Sequence, residues 1–174
     1  MSDGLQTLFL IVFPALAIVA ALSDATTMTI PNWISAALVV AFFPAALVMG
    51  LSPTAIGISA ALGVAALLAG MIMFALHWIG GGDAKLFAAS ALWLGLAGAA
   101  PFLAWTAIAG GALALALIGA RRMAATTGVP FAQPAWLQRL LAPEGDIPYG
   151  IAIAAGALAA FPQSGLVLAA HGAA

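Results

Sequence analysis

What this sequence most lacks is charge. Of its 174 residues 5% are charged and 66% are hydrophobic, whereas a soluble domain carries about 25% charged residues. A water-soluble globule is excluded, and the chain reads as an all-α integral membrane protein. Cysteine is missing altogether, which removes disulfides, thiolate metal sites and cysteine nucleophiles. The two histidines, His77 and His171, are too few for a histidine metal cluster, so neither a metal nor a cofactor is expected. A formal net charge of -1 with no basic surplus argues against a nucleic-acid partner.

What is present is a series of apolar runs cut by short polar interruptions. The first run, 5–22, is near the lower limit for crossing about 30 Å of hydrocarbon. A cleaved signal peptide is the rival reading, because Ala21-Leu22-Ser23 resembles a small-residue cleavage site. However, Asp3 and the want of any Lys or Arg before the run give the wrong charge for a signal, and a retained helix is expected. Pro31 suits the first turn of a second helix over 31–51, and Trp33 suits the membrane interface. Ser52-Pro53 marks a turn into a third span, 54–78.

No charge occurs from Leu86 to Ala120. One straight helix of that length would measure about 52 Å at 1.5 Å per residue, so a break is expected at Gly98-Ala99-Ala100-Pro101. It yields spans over 85–99 and 101–120. The polar loop 121–146 holds Arg121, Arg122, Arg139, Glu144 and Asp146, with a short amphipathic helix expected from Pro134 to Leu141. A last span covers 147–170. Alanine and glycine recur throughout, as expected where membrane helices must approach closely. The expected architecture is one membrane domain, a bundle of six transmembrane helices.

Six spans put both termini on one side and the interruptions at 23–30, 79–85 and 121–146 on the other. All four basic residues fall in the latter set. By the positive-inside rule that side is cytoplasmic and the termini are extracytoplasmic. The parity also brings Asp24 and Asp83, 59 positions apart (24 to 83), to the same membrane surface.

Asp83 lies in Gly80-Gly81-Gly82-Asp83-Ala84-Lys85-Leu86. A carboxylate between apolar segments is expensive unless it faces water, a partner or a cavity, and three glycines permit a sharp turn there. Two carboxyls within a few ångströms cannot both ionise easily, so the pair shares a proton. One can then remove a proton from water while the other hydrogen-bonds a scissile carbonyl. Helix ends suggest roles: Asp83 opens a helix, where its charged form is favoured, and Asp24 follows the end of one. On that basis Asp83 is the base and Asp24 the protonated partner. Plainer readings stand beside this one. Asp24 fits a solvated loop charge, Asp83 a helix cap, and Lys85 a snorkelling or offsetting cation. His77, Trp78, Trp93, Trp105 and Trp136 fit interface anchors or packing. Arg121, Arg122 and Arg139 fit topology signals, and Glu144 and Asp146 fit caps of the last helix.

The glycine–aspartate stretch, with Ala88, Ala89 and Leu94-Gly95 downstream, closely resembles the Gly-x-Gly-Asp-x-Lys signature of the type IV prepilin peptidases. Asp24 followed by Ile30-Pro31-Asn32 looks like that family's other aspartate motif, and Pro148-Tyr149-Gly150 is similar to the opening of its last helix. The resemblance implies a membrane aspartic endopeptidase that cuts the leader from pilin-like precursors at the cytoplasmic face of the bacterial inner membrane. It implies Asp24 and Asp83 as the catalytic pair. Gly80, Gly82, Lys85, Pro31 and Asn32 then shape the site, with Pro148 and Gly150 next to it. Longer members carry a cysteine-bearing cytoplasmic domain and also N-methylate the new pilin end. Without cysteine, methyl transfer is not expected, and the chain looks more like the short enzymes of tight-adherence (Flp-type) pili. The implied partners are a prepilin and the lipid bilayer.

Two other function classes compete. A non-enzymatic transport or assembly component would use the aspartates to bind a proton or cation. A presenilin-like protease would keep its aspartates within apolar spans, whereas here both lie in polar interruptions.

Overall fold

In lipid every backbone N–H and C=O must find a partner within the protein, which selects helix for an isolated apolar run. The computed structural model describes residues 2–127, 134–143 and 145–172, and every regular element among them is helical. In order these are α1 (Ser2–Thr27), α2 (Asn32–Val48), α3 (Pro53–Ala75), α4 (Gly81–Thr127), α5 (Ala135–Leu140) and α6 (Tyr149–Ala160). A 3-10 turn (Phe161–Gln163) and α7 (Gly165–Ala170) close the chain. Among the described residues four stretches are long and apolar enough to cross a membrane: Gly4–Thr27, Pro53–Ala75, Gly81–Thr126 and Tyr149–Ala170. With 17 residues, α2 is shorter.

The elements depart from the expected spans in several places. α1 runs on to Thr27, so Asp24 lies inside its last turn instead of following its end. α4 runs on to Thr127, so Arg121 and Arg122 stand on a helix, not in a loop. The last span is two helices: α6 tightens into the 3-10 turn Phe161–Gln163, which ends at extended Ser164 (φ −68°, ψ 149°), and Ser164 caps the next helix by accepting the Val167 N–H at 3.3 Å. The short helix expected over 134–141 is present as α5. Glu144 lies outside the described residues.

The expected break at 98–101 falls instead at Gly95, with φ 61° and ψ −166°, a conformation open essentially to glycine alone. Buried Ser59 packs against it so closely that a Cβ there would stand 2.8 Å from the Ser59 Oγ. The chain doubles back at this point. A straight helix would hold Phe87 and Phe102 about 22 Å apart, yet their rings stack with centroids 4.8 Å apart. The two halves of α4 are therefore separate working helices.

Each half has a partner. On α3, Gly63 and Gly70 share one face of the helix, and a Cβ on them would come within 3.1 Å of Leu92 Cβ and of Ala84 Cα respectively. On α6, a Cβ at Gly156 would lie 2.6 Å from the Thr106 backbone nitrogen in the second half of α4. Small residues allow these approaches where apolar lipid supplies no hydrophobic drive between helices. At the centre Trp93, 1% exposed, stacks on Phe13 at 5.3 Å and meets Phe42 edge-on at 6.0 Å. Phe13 in turn touches Phe161 at 4.9 Å. The indole N–H of Trp93 donates to the Leu38 carbonyl at 2.8 Å, so one residue ties α1, α2 and α4 together.

Candidate active site

Three helix ends meet at the end of the bundle that holds the glycine stretch: the C-terminus of α1 and the N-termini of α4 and α6. Asp24, 5% exposed, reaches from α1 to α6, and its Oδ2 accepts the Gly150 N–H at 2.7 Å. Asp83 is the third residue of α4. Its Oδ2 accepts the Gly80 N–H at 3.3 Å, the returning half of a capping box. Asp83 Oδ1 is buried and has no hydrogen-bond partner among the described residues. Both carboxylates thus take a backbone N–H at a helix N-terminus. The helix-end argument for Asp83 as base and Asp24 as acid therefore does not separate them, because tertiary packing places Asp24 against α6.

The two aspartates line one cavity of about 540 Å³, with Met28, Phe74, His77, Trp78, Pro148 and Tyr149 among its other walls. They also line a second cavity of about 240 Å³ beside Ile30 and Gly80 to Gly82. Two carboxyls on one cavity, one of them with a buried oxygen that has no partner among the described residues, are parts with which a water can be activated against a carbonyl.

Glycine is required here for closeness. A Cβ at Gly82 would lie 3.0 Å from Ile30 Cβ, which brings the α1–α2 connection onto the start of α4. A Cβ at Gly150 would lie 2.8 Å from Asp24 Oδ2 and 3.0 Å from Asp24 Cβ. At Gly80 it would stand 2.9 Å from Asp83 Oδ2. Buried Pro148, which caps α6, lines the larger cavity beside Gly145, Asp146 and Ile147.

Other expected site residues fall elsewhere. Lys85 Nζ donates to Asn32 Oδ1 at 2.7 Å, joining the start of α2 to α4. Neither residue lines the aspartate cavities; both border an apolar groove of about 530 Å³ among α2, α3 and α4. Pro31 caps α2 with φ −60° and ψ 135° and lines neither aspartate cavity. All three stand where α2 and α4 begin. His77 and Trp78, which fit interface anchors or packing by sequence, both line the larger cavity, as does Phe74. His77 has a left-handed backbone (φ 60°); its place just before the triple glycine was the available signal.

A family model described as the type IV leader peptidase family matches residues 11–115. The match takes in both aspartates and the glycine stretch, while Pro148 and Gly150 lie beyond it. Searches of curated proteins and of solved structures found no match. With more than half of the chain matched and both acidic residues inside the matched part, the protein belongs to the type IV leader peptidase family.

Proposed function

We propose that this protein is a membrane aspartic endopeptidase that removes the leader from type IV, Flp-type prepilins. One observation carries the reading: Asp24 of α1 and Asp83 of α4 line the same cavity at the meeting point of three helix ends. One carboxyl takes a proton from water and the other, protonated, donates to the scissile carbonyl. The resulting tetrahedral centre collapses as the leaving amine is protonated. A prepilin offers a short basic leader and then an apolar helix of roughly 20 residues, long enough to enter the bilayer. Its cut therefore lies at the membrane surface.

In this reading the chain makes six passes through the bacterial inner membrane. The two halves of α4 count as separate passes, and α6 with α7 forms the last. Lys85 and Arg121 stand at the aspartate end of the bundle, which makes that end cytoplasmic and puts the termini outside. Co-expression with a Flp-type prepilin, followed by its size, is the test. The wild-type chain is expected to cleave it, and Asp24→Ala and Asp83→Ala are each expected to abolish cleavage. Undiminished cleavage by either variant would remove the dyad.

A further inference from the structure

Arg121 was read from sequence as a topology signal, but its guanidinium does something more specific. Its Nε donates to the Leu140 carbonyl at 3.0 Å, and its Nη2 donates to the Asp146 carbonyl at 2.8 Å. The first bond holds the end of α5, and the second holds the approach to α6. A Cβ at Gly145 would stand 3.3 Å from Arg121 Nη2 and 2.8 Å from the Arg139 carbonyl oxygen, so the guanidinium is closely fitted there.

What Arg121 holds leads straight into the site. Asp146, Ile147, Pro148 and Tyr149 form one wall of the aspartate cavity, and four residues after Asp146 the Gly150 N–H grips Asp24 at 2.7 Å. The linkage between the two points is stiff. Pro148 is among the most deeply buried side chains, and its ring fixes its φ. With that dihedral fixed and the ring buried, less of a displacement at Asp146 can be absorbed before Gly150.

We infer that Arg121 is a positioning residue of the peptidase site, which sets the cavity wall and the Gly150–Asp24 bond by clamping two carbonyls with one planar fork. Lysine cannot replace it: an ammonium keeps the charge, but it is a point donor without the fork that spans two fixed acceptors. The inference rests on the peptidase reading.

The test compares Arg121→Lys, Arg121→Gln and the control Arg122→Gln, which removes one positive charge from the adjacent exposed position. Prepilin cleavage by each purified full-length variant is measured as kcat and KM, beside its thermal midpoint. Amide exchange is followed in the peptide containing Gly150. Arg121→Lys and Arg121→Gln are expected to lower kcat by about 10- to 100-fold, the scale of a catalytic group misplaced by an ångström. KM should change less, the midpoint should hold, and exchange at Gly150 should be faster. Arg122→Gln should match wild type. Wild-type kcat in Arg121→Lys overturns the inference. So does loss of activity strictly in step with loss of thermal midpoint, which reduces Arg121 to a structural anchor. Failure of the wild-type chain to cleave any prepilin would instead overturn the peptidase reading, which keeps the two failures distinct.

Discussion

A single methyl group added at Gly150 sets fold against catalysis. In Gly150→Ala the new Cβ would meet Ile30 Cδ1 at 2.7 Å, Asp24 Oδ2 at 2.8 Å and Asp24 Cβ at 3.0 Å. The isoleucine methyl can turn aside, but Asp24 Cβ is fixed to α1, so either the helix or the carboxylate must yield. Overpacking of this kind costs about 1–3 kcal/mol. If the carboxylate swings away, the bond to the Gly150 N–H is lost, and hydrogen bonds to charged groups are worth about 1.5–3 kcal/mol. These are two outlets for one strain and do not add. At about 1.4 kcal/mol per factor of ten, cleavage is expected to slow by about 5- to 150-fold if the carboxylate moves. If α1 moves, the same strain appears as a lower thermal midpoint. The assay is the initial rate of prepilin cleavage in detergent or vesicles, beside a melting curve on the same preparation. Gly111→Ala is the control, since nothing lies within 4 Å of its Cβ. A Gly150→Ala enzyme with wild-type rate and wild-type midpoint would refute the close approach on which the site depends.

Replacing either aspartate by asparagine keeps its shape and removes its proton chemistry. Asp24→Asn and Asp83→Asn are each expected to lose about 10²- to 10⁴-fold in cleavage rate with the midpoint preserved; measurable turnover near wild type in either would contradict a shared role. Gly156→Leu should separate α6 from the second half of α4, because the obstacle is the Thr106 backbone nitrogen at 2.6 Å and not a side chain that can turn. A loss of about 3 kcal/mol or more, read as poor recovery of folded protein, is expected, and normal yield and melting would argue against the packing. Trp93→Phe keeps the aromatic stack but removes the bond to the Leu38 carbonyl. It should cost about 1 kcal/mol, seen as a slightly lower melting temperature, whereas Trp93→Ala should cost about 3–5 kcal/mol.

The helical class, and the arrival of Asp24 and Asp83 at one cavity, were legible because they rest on local signals: apolar runs, punctuation by Gly and Pro, and charges that cannot be left in lipid. The position of the break in residues 86–120 was not. Gly95, Gly98 and Pro101 punctuate that stretch alike, and Ser59, packed against Gly95 from another helix, has no mark in the stretch itself. The split of the last span was more accessible, since Pro162-Gln163-Ser164 interrupts the apolar run. The helix-end argument for the two acids failed for a physical reason. A carboxylate answers to the dipole in front of it, and for Asp24 that is the start of α6, 126 positions away. Lys85 and Asn32 are expected near the site from their motif positions, and the bond between them joins two helices, a pairing that a separation of 53 positions conceals. Arg121 fits a topology signal by sequence, and its two bonds to the Leu140 and Asp146 carbonyls carry no local mark because their partners lie 19 and 25 positions on.

The grip of Gly150 on Asp24 also has a temporal side. A ribosome has already delivered both acids to the lipid by the time α4 emerges, but the backbone amide that steadies one of them comes much later. Until that late stretch has docked, the nascent polypeptide carries its acids without the brace. The pocket around Asp24 is thus completed only when nearly the whole polypeptide has been made.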